Sequence, residues 1–320
     1  MNPEQTRSLV AICLMAAFAD GHQSADEREH VRKVAESLSR ETQIDFIALY
    51  QDVLLGRVVL EEAVAALSEP GLRQLAFELA LGVCEADGSH DADERAFLAR
   101  LAAALGLEAA AAQQSVLQAE AVADAPLEGV LPGYDVVPSA TPRVAASVVP
   151  DAAELERMTL NAAILNGALE LLPQSMASMA IIPLQIRLVY RIGKAHGYEL
   201  DRGHIRDFLA TLGVGMTGQY VEQFGRKLLG GVLGKVFGGA GRAIGSQVAG
   251  SGFSFATTWA IGKVAQRYYG SGRTLDAEML KQTFASLYDQ ARGLQSSHAP
   301  AIAEQARSID LGRLMAELRA

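Results

Sequence analysis

Two copies of one acidic loop carry the residues best suited to chemistry. Residues 19–28 read ADGHQSADER, and 67 positions on residues 86–95 read ADGSHDADER, with seven of ten positions identical. Asp20, Asp26 and Glu27 lie in or beside the first loop, and Asp87, Asp91, Asp93 and Glu94 in or beside the second. Clustered carboxylate oxygens are the donor set of a hard divalent cation such as Ca2+ or Mg2+. The calcium loop of an EF-hand is not the pattern: counting Asp87 as position 1, glycine falls at position 2 instead of 6, and position 12 is Leu98. A capping account explains much of the same string. Gly21 and Gly88 would end a helix in the left-handed conformation. Ser24 and Asp91 would cap the next helix, with Glu27 and Glu94 at capping-box spacing. That account leaves Asp20 and Asp87 over, because negative charge at a helix C-terminus is mildly unfavourable. Both accounts stay open at this level.

The elements around the loops are helical. Leu9, Ile12, Cys13 and Ala16 recur at helical spacing and predict a helix over 3–18. After each loop the apolar positions correspond: Val31 with Leu98, Val34 with Leu101, Leu38 with Leu105. The repeated unit is therefore helix, glycine loop, helix. Two short helices are expected over 41–56 and 58–68, Pro70 opens the helix leading into the second loop, and 107–122 closes an all-α domain.

The paired ADG…ADER loops in a small helical chain resemble the TerB-like domain. That domain is shared by bacterial tellurite-resistance proteins and the N-terminal region of a membrane-anchored DnaJ-type co-chaperone. The resemblance covers about residues 1–122. It implies a cation-binding acidic surface carried by Asp20, Glu27, Asp87 and Glu94, and no catalytic reaction.

Charge is divided unevenly over the 320 residues. Residues 1–125 hold 21 Asp and Glu against 9 Lys and Arg; residues 126–320 hold 16 against 19. An acidic half argues against nucleic acid, which needs a basic footprint. Two cysteines, Cys13 and Cys84, make no disulfide framework and point to a reducing compartment. The opening residues, MNPEQTRSLVAICLMAAFAD, lack the basic n-region of a signal peptide.

Five of the ten prolines fall between residues 119 and 153. Residues 123–153 are expected to be an extended tether, followed by a second, apolar helical domain over 154–320. Within it, Leu228–Gly262 holds ten glycines and only two charges, Lys235 and Arg242. Gly230, Gly234 and Gly238, then Gly241 and Gly245, step by four and share a helix face, which suits close backbone contact and self-association through helices. Residues 243–262 carry no formal charge, about the length that spans a hydrocarbon core. A glycine-rich buried hairpin in a water-soluble domain is the competing account.

If both apolar runs, 171–186 and this one, crossed a bilayer, the basic Arg187–Lys227 segment would stay cytoplasmic and place the acidic domain outside. Re-entrant or interfacial hairpins on the cytoplasmic side of the inner membrane fit better. Arg187, Arg191, Arg226, Lys227, Lys263 and Arg267 would then meet headgroups, with Tyr190, Trp259, Tyr268 and Tyr269 at the same level. The strings RLVYRIGKAHGYELDRGHIRDFLATLG, GRKLLGGVLGKVFGG and FSFATTWAIGKVAQRYYGSGR are similar to a domain of unknown function. It occurs in YcjF-like inner-membrane proteins and beside some Era-like GTPase domains. That resemblance, over about 155–290, implies membrane association and a GTPase context.

No phosphate-binding loop accompanies Gly234-Lys235, since Leu229 stands where the first glycine belongs and Val236 where Ser or Thr does. HExxH, GxSxG and CxxC are also absent. The expectation is a non-enzymatic, membrane-associated adaptor or sensor of tellurite-resistance type. The rival readings are a regulatory partner of a separate Era-like GTPase, and a hydrolase or transferase using His204.

Overall fold

The computed structural model describes residues 2–19, 21, 31–32, 35–36, 45–85, 92–128, 151–172, 175–212, 221, 224 and 252–319. All regular structure among them is α-helical, as the periodicity predicts. They divide into two compact units. The first holds Met1–Asp124, Leu172–Met179 and Gly213–Ala243; the second holds Ala125–Leu171, Ala180–Leu212 and Ile244–Ala320.

In the first unit, α1 (Pro3–Ala17), α2 (Phe46–Leu54), α3 (Leu60–Ala65), α4 (Pro70–Cys84), α5 (Ala92–Leu105) and α6 (Ala109–Ala123) follow in order. The short α8 (Ser175–Met179) packs with α4 and α6. Helix α1 begins in a full capping box: Asn2 Oδ1 accepts from the Gln5 N–H at 2.8 Å, and Gln5 Oε1 accepts from the Asn2 N–H at 2.9 Å. Pro70 opens α4 because the first turn needs no N–H there. Helices α1 and α4 form the centre, burying Leu9, Ile12 and Leu14 against Ala76, Phe77 and Leu81. A Cβ on Gly82 would come within 2.9 Å of the Phe224 ring, so that glycine is where aromatic Phe224 seats on α4.

The second unit is built on α7 (Ala152–Leu171), α9 (Ile181–Ala195), α10 (Arg202–Thr211), α11 (Phe253–Gly270), α12 (Ala277–Ser308) and α13 (Leu311–Arg319). Helix α11 is its axis, packing against α7, α9 and α12. Pro183 falls in the first turn of α9, where proline is tolerated. Pro300 lies inside α12, a position the amphipathic pattern alone does not reveal.

The centre of this unit is polar. Thr258 Oγ1 on α11 accepts from Asn166 Nδ2 on α7 at 2.9 Å and from Gln185 Nε2 on α9 at 3.0 Å. All three residues are fully buried. At the start of α11 the Ser254 N–H donates to buried Glu170 Oε2 at 2.8 Å, an acid placed at a helix N-terminus. Gly262 lets α11 approach α7 closely, since a Cβ there would sit 2.5 Å from Thr159 Cγ2.

The uncharged run 243–262 contributes only Phe253–Gly262 to α11, and the helix then continues through Lys263 and Arg267. Among the described residues no helix is long and apolar enough to cross a membrane. The glycine-rich segment 225–251, with its four-residue steps, lies outside the described residues.

Candidate functional site

The acidic loops are described only at their edges. Asp20, Asp26, Glu27, Asp87 and Asp91 lie outside the described residues, while Asp93 and Glu94 open α5. Asp93 is exposed and Glu94 is buried. Carboxylates in a first turn face the positive end of the helix dipole. Gly21 has φ of +66°, the left-handed conformation expected of it, although α1 ends earlier, at Ala17 with Phe18 as its cap. Val31 and Leu98, matched across the repeat, are both buried. Among the described residues no three His, Cys, Asp or Glu side chains group to hold a metal ion.

The second candidate lies where α9, α10 and α11 end or begin. Helices α9 and α11 finish in the same hydrogen-bond pattern. Tyr198 N–H donates to Gly193 O at 3.0 Å and Gly197 N–H to Lys194 O at 2.9 Å; Arg273 N–H donates to Tyr268 O at 2.8 Å and Gly272 N–H to Tyr269 O at 3.1 Å. These are Schellman turns, with left-handed Gly197 and Gly272 at φ of +84° and +74°. They bring the strings HGYELDRGHIRDF and RYYGSGR together, with the 58 positions 209–266 between them in the chain. Phe208 and Tyr268 stack with centroids 5.3 Å apart, and Tyr198 and Tyr269 meet at 5.3 Å. Burial pushes the Tyr269 phenol up to about 12. Leu200 packs directly over Gly193, where a Cβ would come within 2.2 Å of it. The result is a cleft of about 220 Å³ lined by His204, Asp207, Thr211, Tyr268 and Arg273 among others.

His204 itself opens α10. Its Nδ1 lies 2.9 Å from Asp201 Oδ1, and the same carboxylate oxygen accepts the His204 backbone N–H at 2.9 Å. That backbone bond is the main reason the Asp201 carboxyl is held below its ordinary range. Both side chains are more than half exposed. The pair is first of all a helix cap.

Several residues expected at lipid headgroups are placed otherwise. Arg187 is 1% exposed; its Nε donates to Pro126 O at 2.7 Å and its Nη2 to Leu318 O. Burial, then neighbouring Arg191 and Arg202, lowers its pKa to about 10, so it remains charged at neutral pH. Tyr190 is buried and donates to Glu128 Oε1 at 3.0 Å, and Tyr269 is buried in the aromatic cluster. Lys263 pairs with Glu156 on α7. Arg226 and Lys227 lie outside the described residues. The start of the expected tether, residues 125–128, is thus pinned by Arg187, Tyr190 and Arg202, the last donating to Ala125 O. Helical spacing marks Arg187 only as a cation in an apolar run; that its partners are main-chain carbonyls distant in sequence is a tertiary fact. Arg273 had one legible sign, its place after Gly-Ser-Gly at the end of an aromatic helix.

Comparison with known proteins adds one match. Residues 6–116 fit the family model described as tellurite resistance protein TerB. No curated protein and no solved structure matches the chain. The N-terminal region is therefore TerB-like, and the match ends before residues 155–290.

Proposed function

We propose that the chain is a non-enzymatic adaptor of tellurite-resistance type, with an acidic TerB-like part that takes a divalent cation and a C-terminal part that holds it at the cytoplasmic face of the inner membrane. One observation carries this reading. The TerB match over 6–116 coincides with the strongly acidic segment and contains both copies of the loop. The bound cation, Ca2+ or Mg2+, would sit among Asp20, Asp26 and Glu27, or Asp87, Asp91, Asp93 and Glu94, and neutralise charge there, changing which partners the surface accepts. Membrane association rests on the glycine-rich segment and its flanking Arg226 and Lys227, and on the resemblance over 155–290. Supporting a non-enzymatic role, Asp201 caps α10 and meets His204 Nδ1 with both side chains more than half exposed, so the two make no buried catalytic pair.

Expression of the full chain in a tellurite-sensitive bacterial host should raise the tellurite concentration survived. Asp20→Asn with Asp87→Asn should return survival to that of the empty host. Equal survival with and without the intact chain would overturn the stress role. A separate GTPase as partner is the alternative reading of the same adaptor, and co-purification of a nucleotide-binding protein with the full chain would favour it.

A further inference from the structure

Arg273 is the one non-glycine residue with positive φ among the described residues, at +64°. The helix cap does not require this. The same pair of bonds ends α2 at Gly56-Arg57, α5 at Gly106-Leu107 and α9 at Gly197-Tyr198. In each of those the residue after the glycine keeps a negative φ, including an arginine, Arg57. Arg273 therefore holds a conformation that favours glycine where neither its cap nor its side-chain type demands it, and strain of this kind collects at ligand-binding positions.

What the strain achieves is the placement of the guanidinium. It lies 5.9 Å from the Tyr198 ring centroid and 5.8 Å from that of Tyr268, and Nε donates to Tyr268 Oη at 3.4 Å. No carboxylate pairs with it among the described residues; the groups acting on its charge are Tyr268, Tyr269 and Tyr198. Arg273 is exposed, so the guanidinium is open to solvent. Aromatic contacts and one bond from Nε leave the Nη fork, the geometry that grips two oxygens of one anion. The Asp207 carboxylate lines the same cleft, suited to accept a hydroxyl from the body of a ligand but not to touch an anion, and His204 lines it with its Nδ1 already held by Asp201 Oδ1. At about 220 Å³ the space is smaller than a drug-sized site, so the ligand is small.

We infer that this cleft binds a small hydroxylated phosphate monoester, with the phosphate on the Arg273 fork and a hydroxyl toward Asp207. The inference stands apart from the adaptor role and does not depend on it. A soluble ester and a lipid headgroup share this chemistry, and the test separates the two.

The full-length protein is titrated by calorimetry with glycerol 3-phosphate and with inorganic phosphate, against sodium chloride of equal ionic strength. It is also floated with phosphatidylcholine vesicles with and without phosphatidic acid. Saturable binding of glycerol 3-phosphate assigns a soluble ester; flotation that needs phosphatidic acid and Arg273 assigns a headgroup. Arg273→Gly should weaken either by about tenfold or more while the melting temperature holds or rises, because glycine relieves the left-handed backbone. Arg273→Lys should fall between, keeping charge without the fork. A structural clamp predicts the reverse for glycine, a lower melting temperature with binding unchanged, and that result overturns the inference. So does a failure of the intact chain to bind the phosphate, the ester or the acidic vesicles.

Discussion

The Nε–H of Arg187 on α9 donates to the main-chain carbonyl of Pro126 at 2.7 Å, fastening a proline-rich segment to a helix 61 positions away. The same guanidinium reaches Leu318 O near the chain's end. Charge-assisted bonds from one buried cation thus join three distant stretches of the second unit. Arg187→Ala would take this donor from the buried Leu318 carbonyl, release the Pro126 carbonyl and open a cavity. We expect a loss of roughly 2–5 kcal/mol in denaturant unfolding of the full chain. A change within about 0.5 kcal/mol, the range of an ordinary surface substitution, would contradict this placement.

Thr258 invites a sharper comparison. Thr258→Val removes the oxygen that accepts from both Asn166 and Gln185, taking one hydrogen bond from each of two buried amides. The expected cost is about 2–4 kcal/mol, whereas Thr258→Ser keeps the acceptor and loses about a methyl group's worth of burial, near 1 kcal/mol. Thermal melts of the two variants should differ in that order, and equal melting temperatures would refute the polar centre.

Two helical glycines should respond with opposite sign to the same substitution. Gly262→Ala drives a Cβ into Thr159 on α7, while a Cβ on Gly293 of α12 meets nothing within 4 Å. We expect Gly262→Ala to destabilise by about 1–3 kcal/mol, and Gly293→Ala to stabilise by roughly 0.5–1 kcal/mol through helix propensity. Urea midpoints measure both, and a stabilising Gly262→Ala would mean that α7 and α11 are not in close contact.

The alkaline limb of stability should report Cys13. Burial pushes its thiol up from 9.0 to about 12. Above pH 9 the unfolded chain gives up this proton while the folded chain keeps it, so stability is intact below pH 9 and declines as pH rises toward 12. The slope approaches but does not exceed about 1.4 kcal/mol per pH unit from this group. Tyr269, raised from 10.0 to about 12, adds loss of the same sign above pH 10, while Arg187, lowered from 12.5 to about 10, acts oppositely there. Between pH 9 and 10 Cys13→Ala should therefore flatten the decline; an unchanged slope would remove this attribution.

Local chemistry was readable wherever local rules decide. Pro70 opens a helix as its missing N–H allows, and the left-handed Gly21 follows from the loop pattern. The repeat also pointed to burial, since Val31, Leu98, Leu101 and Leu105 are all core residues. The match over 6–116 agrees with the resemblance drawn from the paired loops. What periodicity does not encode is which distant group a polar residue meets. Arg187 and Tyr190 carry the marks of interfacial residues, yet their partners are Pro126, Leu318 and Glu128 in segments far off in sequence. Thr258 reads as an ordinary small residue until α7 and α9 bring Asn166 and Gln185 to it. Arg273 is marked in the sequence only by the Gly-Ser-Gly before it, and its positive φ comes from the fold.

The adaptor account depends most on where the intact protein resides. Bacteria expressing the full chain are lysed and separated into aqueous and membrane fractions, and the membranes are washed with alkaline carbonate. The account predicts that the protein sediments with the inner membrane, and that deleting residues 225–251 releases a folded chain into the supernatant. Recovery of the intact chain wholly in the aqueous fraction, without detergent and as a monomer, would contradict it.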